Sequence, residues 1–174
     1  WFSPLITGIL ISFLRIIVGI GRIADRLFFP NAFCSRIQNP IMIVGNPRSG
    51  TTFLHRYLVR NGIGVGSQLW QMLYPSIILQ KMIKPLLPFL EKVSPTRHHS
   101  TAAHNTSLQS VETDDVAIFF RYMDGFFLYG FILSWAEENL FSWVDPQVRD
   151  TSDRDYEWLE SIWLRNQFMA NSNR

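Results

Sequence analysis

An α/β fold, with a parallel sheet covered by helices on both faces, is the class this sequence predicts, and three adjacent observations predict it. Ile41-Met42-Ile43-Val44 is a short aliphatic run closed by Pro40 and Gly45, the pattern of a strand buried on both faces. Gly45 to Gly50 follows as a glycine-bounded loop. From Thr51 onward, Phe53, Leu54, Tyr57 and Leu58 recur at helical spacing, and Asn61-Gly62 closes the helix. Strand, glycine turn and helix start follow one another without a gap.

The remaining elements are read in chain order. Residues 1–28 are strongly apolar, with Arg15, Arg22 and Arg26 appearing toward the end. They predict a helix that associates with a membrane. It either lies in the interface with its arginines on the polar side or spans once and stops at Arg22 and Arg26; packing on the domain is the third reading. Residues 29–39 hold Pro30 and two asparagines and read as a linker. The main domain runs over 40–174. Within it, 63–66 predict a second short strand, and 69–93 predict helix interrupted by Pro75, Pro85 and Pro88. Residues 94–110 are polar and aperiodic and carry His98, His99 and His104, which marks a functional or mobile loop. Residues 112–141 predict one or two helices, with Asp114 and Asp115 placed where carboxylates suit the helix dipole. Residues 145–155 form a turn, and 156–169 a last helix capped by Asp153.

With 174 residues the chain suits one domain. An apolar fraction of 47% against 17% charged is high for a soluble domain but far below a multi-span membrane protein. Cys34 is the one cysteine. It has no internal disulfide partner and belongs to no zinc-binding pair, so cysteine content leaves the compartment open. No metal site is read from the sequence, and nucleic acid is not an expected partner. Residues 1–110 carry eleven Lys and Arg against Asp25 and Glu91, whereas 111–174 carry five against twelve carboxylates. A basic first part around a glycine loop favours an anionic ligand, although two solvated faces of opposite sign read equally well. The start at Trp1 and the ending "MANSNR" read as the front part of a longer protein.

The loop "GNPRSGTT" has the chemistry of a phosphate cradle. Glycines let the backbone turn tightly, several N–H groups converge, and the following helix adds its positive end. Thr51 and Thr52 add hydroxyls, and Arg48 adds a fork of donors matched to phosphate oxygens. The spacing G-x-x-x-x-G is that of the loop in nucleotide triphosphatases, the P-loop. In those enzymes a lysine follows the second glycine. Here Thr51 stands there and the positive charge sits at Arg48. A nucleotide kinase or triphosphatase, the other phosphate enzyme of this kind, would need the lysine and a carboxylate after an apolar strand.

"GNPRSGTTFLHRYL" resembles the 5′-phosphosulfate-binding loop of sulfotransferases, in the branch with "PRSGTT" to which carbohydrate and tyrosylprotein sulfotransferases are related. "ETDDVAIFFRYMDGFF" is similar to the acidic-then-aromatic segment of that branch. The resemblance runs from about residue 20 to the end. It implies the N-terminal part of a P-loop nucleoside-triphosphate-hydrolase-like three-layer fold. It also implies transfer of a sulfuryl group from 3′-phosphoadenosine 5′-phosphosulfate, a co-substrate used without metal, to a hydroxyl or amine of a small-molecule, lipid or carbohydrate acceptor. Arg48, Ser49, Gly50, Thr51 and Thr52 carry over as contacts to the phosphosulfate. The family's arginine and serine for the 3′-phosphate would lie past residue 174.

For the proton acceptor the match is incomplete. Family members have a glutamate in a stretch resembling "LWEML", and this chain reads "LWQML" with Gln71 in that position. Other members use a histidine some way past the loop, and His98, His99 and His104 fall about 50 residues beyond Thr51. His104 and His99 are the candidates, with Glu112 behind them; His55 reads as structural. The aromatic stretch from Ile118 to Trp135 reads either as the wall of an apolar acceptor pocket or as core helix with Arg121 and Asp124 paired. The alternative function is a membrane-associated binding protein with a degenerate, non-catalytic site.

Overall fold

The computed structural model describes residues 3–37, 39–46, 49–93, 107–124, 140, 142 and 145–172. These residues form seven α-helices: α1 (Ser3–Phe28), α2 (Thr51–Arg60), α3 (Leu69–Leu73), α4 (Ile77–Ile83), α5 (Leu87–Val93), α6 (Asp115–Tyr122) and α7 (Ser152–Ser172). Short 3-10 turns follow α1 (Pro30–Phe33) and join α4 to α5 (Lys84–Leu86).

Pro75 and Pro85 set breaks between helices, whereas Pro88, expected to interrupt the same stretch, lies in the first turn of α5. Pro75 separates α3 from α4, and Pro85 tightens the backbone into the 3-10 turn, because proline removes an N–H and clashes with the preceding turn. Helix α7 is the spine of the core. Its Trp158 and Ile162 pack with Val18 of α1, Met72 of α3 and Ala117 of α6. Two turns on, Met169 packs with Ala32 and Ile77, against Phe29, Phe33 and Phe168.

A buried polar knot ties α1, α4 and α7 together. Asp25 of α1 is fully buried. Its carboxylate accepts from the Ile77 N–H at 3.0 Å, the Ile78 N–H at 3.1 Å, the Ser76 hydroxyl at 3.1 Å and Arg165 Nε at 2.8 Å. It thus caps α4 from another helix, satisfying donors that have no partner inside α4. Gly21 permits the contact, since a Cβ there would lie 2.7 Å from the Ser76 hydroxyl. A second ladder runs from Gln80 Nε2 to Asn166 Oδ1 (3.2 Å) and from Asn166 Nδ2 to the Ser67 hydroxyl (2.9 Å).

The predicted fold class is corrected. Among the described residues there is no sheet, and the sole pairing of sheet type is an isolated antiparallel bridge between Gln68 and Val111. Ile41–Val44 takes no regular secondary structure, and Ile41, Met42 and Val44 are 58, 84 and 84% exposed. Aliphatic residues between a proline and a glycine favour extended backbone locally, but a strand of a parallel sheet needs neighbours on both edges. Residues 63–66, expected as the second strand, form bends and irregular backbone instead. A three-layer α/β arrangement is therefore not what these residues build; the architecture is helical.

Three smaller expectations also change. The linker at 29–39 is packed in part, with Ala32 buried between α4 and α7. Helix α7 starts at Ser152, so Asp153 lies inside its first turn, where Thr151 donates to Asp155 at 2.8 Å. The spanning reading of 1–28 falls as well, since none of the described helices is long and apolar enough to cross a membrane. Arg22 and Asp25 of α1 face the protein, where Arg22 sits 4.2 Å over the Trp158 ring. Burial, then the neighbouring Arg165, Arg121 and Arg26, pull the Arg22 guanidinium down to about 9.

Candidate functional site

The described ends of the glycine loop, 45–46 and 49–50, approach each other closely. A Cβ on Gly45 would lie 2.7 Å from the Ser49 hydroxyl and 2.8 Å from a Thr51 methyl, so only glycine lets the start of the loop close on its end. The Ser49 N–H donates to the Asn46 carbonyl at 3.2 Å. Gly50 then takes the left-handed conformation, with φ of 87°, and its carbonyl accepts from the Leu54 N–H at 3.0 Å. Helix α2 thus begins on a residue without a side chain. No side chain caps it, and no acidic residue lies in its first turn. Ser49 and Gly50 are exposed, and Thr51 and Thr52 are half-buried. The positive end of the α2 dipole thus coincides with the hydroxyl residues Ser49, Thr51 and Thr52, a combination chemically suited to an anion. Arg48 lies outside the described residues, as do His98, His99 and His104.

One turn further along α2, the structure joins residues that sequence spacing keeps apart. Arg56 donates through Nη2 to Glu112 Oε1 at 2.7 Å and through Nε to the Val111 carbonyl at 3.0 Å. The Glu112 N–H in turn binds the Ser67 carbonyl at 3.1 Å. The candidate base Glu112 is thus brought beside α2, but as the ion-pair partner of Arg56. Gly66 makes the approach possible, because a Cβ there would meet Val59, Val111 and His55 Nε2 at 2.7, 2.8 and 2.9 Å.

Asp114, read from the sequence only as a favourable charge for α6, sits at this junction. It accepts from the Trp163 indole at 3.1 Å. Burial pushes its carboxyl above the ordinary range, opposed by the Trp163 hydrogen bond, by His55 and by the Ser67 hydroxyl. His55, Ser67, Asp114 and Trp163 therefore make a half-buried polar cluster one helical turn from Thr51. Only the pair Asp114-Asp115 hinted at it, since its other members come from three separate segments.

Gln71, in the position of the expected glutamate, has a local duty. Its Oε1 accepts from the Gln68 N–H at 2.8 Å, closing the capping box of α3. A cleft of about 240 Å³ lined by Val59, Gly66, Gln68, Trp70, Gln71 and Lys84 touches the C-terminal half of α2 rather than the loop. Of the expected pair Arg121 and Asp124, Asp124 meets Arg149 at 2.9 Å and Arg154 at 3.0 Å, while Arg121 lies over the Trp158 ring at 5.0 Å. The proposed pocket wall from 125 to 135 lies outside the described residues. Among the described residues no three His, Cys, Asp or Glu side chains gather in a way that would hold a metal ion.

Compared with protein-family models, curated proteins and solved structures, the chain matches none of them.

Proposed function

We propose that the loop from Gly45 to Thr52 holds the phosphosulfate of 3′-phosphoadenosine 5′-phosphosulfate, and that the protein is a sulfotransferase. The observation that carries this reading is the opening of α2: a left-handed Gly50, no side-chain cap, no acid in the first turn, and the hydroxyls of Ser49, Thr51 and Thr52 at the same end. Sulfuryl transfer asks for such a donor array. The acceptor oxygen or nitrogen bonds to sulfur, the sulfur–oxygen bond to the 5′-phosphate breaks, and adenosine 3′,5′-bisphosphate leaves with the added negative charge. Fixed N–H and hydroxyl donors, with Arg48, stabilise charge growing on those oxygens. The acceptor's proton goes to a base, for which His104 and His99 are the proposed groups. Glu112 suits that role less, because the Arg56 guanidinium already occupies its carboxylate. The acceptor is a hydroxyl or amine of a lipid, carbohydrate or other small molecule, met at a membrane surface.

A second reading, donor binding without catalysis, is favoured by two contacts. Gln71 stands in place of a carboxylate and is committed to capping α3, and Glu112 is committed to Arg56. A transfer assay with sulfur-labelled donor and phenol, alcohol and amine acceptors separates the two. Catalysis predicts labelled product that falls by about a hundredfold or more in His104→Ala or His99→Ala while donor binding persists. Donor binding with no product from the unmodified protein would establish the second reading. Absence of donor binding would end both.

A further inference from the structure

We propose that α1 is an in-plane anchor that seats the protein on an anionic lipid surface. Helices on soluble proteins turn their apolar side inward. Helix α1 does the reverse. Ile9, Phe13, Ile16, Ile20, Ile23 and Leu27 follow one another at steps of four and three residues, which places them in one stripe. Each is between 60 and 73% exposed. At 1.5 Å per residue the stripe is about 27 Å long. The opposite side carries Val18, Arg22 and Asp25 and is packed against α4 and α7.

Three observations select lipid as the occupant. First, the polar residue beside the stripe needs no water. The Ser12 hydroxyl donates to the Gly8 carbonyl at 2.8 Å, the way a hydroxyl is satisfied in an apolar medium. Second, the exposed charge on α1 itself and on the α4–α5 segment has one sign. Asp25 and Glu91 are the acidic residues before position 110. Asp25 is buried, and Glu91 is half-buried with its carboxylate on the Leu108 N–H. Arg26, Arg36, Lys81, Lys84 and Lys92 are exposed. Lys81 Nζ lies 4.5 Å over the ring of Phe29, just past the end of α1. Exposed cations of this kind attract anionic headgroups. A second copy of the chain would match the stripe but would bring the same cations against these. Third, α1 is amphipathic without being a span: no described helix is long and apolar enough to cross, and its inner side is already taken by protein. A helix of this kind lies in the headgroup boundary with its apolar face sunk toward the acyl chains.

A second run of exposed apolar residues lies on the segment from α4 to α5. Met82, Leu86, Phe89 and Val93 follow at steps of four, three and four, and all four are exposed. Lys81, Lys84 and Lys92 flank them. This gives a second, shorter stripe with its own cations.

Co-sedimentation with vesicles tests the proposal. Phosphatidylcholine vesicles are compared with phosphatidylcholine–phosphatidylserine vesicles, for the unmodified protein and for the double variant Ile16→Glu, Ile20→Glu. Both positions are outward, so the variant keeps its fold, checked by circular dichroism. The expected result is binding to the phosphatidylserine vesicles that weakens with salt and drops about tenfold or more in the variant. In parallel, a nitroxide on Ile20→Cys in a Cys34→Ser background is expected to become more accessible to oxygen than to a water-soluble quencher once vesicles are added. Equal sedimentation of both proteins, or a nitroxide that stays in water, overturns the proposal. So does an absence of vesicle binding together with concentration-dependent dimerisation that the double variant loses.

Discussion

Asp25 shows how much one side chain can decide. It is buried, receives four hydrogen bonds from two segments, residues 76–78 and Arg165, and lies 2.8 Å from a guanidinium that is itself 1% exposed. An ion pair of this kind adds little over an apolar pair, but losing one partner strands the other in a medium that solvates it poorly. Asp25→Ala is expected to lower stability by about 3–5 kcal/mol, read as a lower urea midpoint with an unchanged slope. Asp114 works in the opposite direction. Burial raises its carboxyl above the ordinary value, so the folded state holds that proton more tightly than the unfolded chain does. Stability from this group is complete below the ordinary carboxylate value and declines as pH rises through the raised one. Asp114→Asn keeps an acceptor for the Trp163 indole and removes the charge. The variant is therefore expected to unfold at a higher urea concentration than the parent at neutral pH, with the gain shrinking as pH falls toward 3.8, the ordinary aspartate value.

At the scale of elements, the parts read correctly from the sequence are those whose cause is local. Helix α2 begins at Thr51 and gives way at Asn61-Gly62, as its apolar spacing and its glycine imply, and Gly62 takes φ of 70°. Pro75 breaks the 69–93 stretch as expected. The predicted sheet fails because its cause is not local. Ile41–Val44 has the composition of a strand, but its edges find no partner among the described residues. The site divides in the same way. The loop closure at Gly45 and Gly50 was legible, since glycine chemistry sits within six residues. The junction of His55, Ser67, Asp114 and Trp163 was not, because helix packing brings it together. Gln71 marks the boundary between the two. Its absence from proton chemistry follows from being an amide, but its bond to the Gln68 N–H is visible only in the structure. Gln71→Ala is expected to cost about 1 kcal/mol through loss of this cap. Gln71→Glu retains an acceptor and is expected to stay within about 0.5 kcal/mol of the parent, by thermal unfolding.

Across the described residues, the core and the candidate anion site lie on different helices. The second half of α1, α4 and α7 share the Asp25–Arg165 knot, and α7 enters both core clusters. Helix α2, which presents the candidate anion site, has no buried residue. Hydrogen exchange followed by mass spectrometry is expected to show the slowest amides in α7 and the C-terminal half of α1, and markedly faster exchange through α2. Nucleotide bound at the start of α2 is expected to slow exchange there. A packed core beside a helix with no buried residue is an arrangement in which a ligand bound at that helix would reorganise it without cost to the core.

The most direct test of the central claim is calorimetric titration of adenosine 3′,5′-bisphosphate into the unmodified protein, with Arg48→Ala and Gly50→Val variants and ATP as a control. A phosphosulfate site predicts micromolar binding, about −8 kcal/mol, weakened tenfold or more in both variants and much weaker for ATP. No binding, equal binding of ATP, or full affinity in Arg48→Ala and Gly50→Val would contradict it.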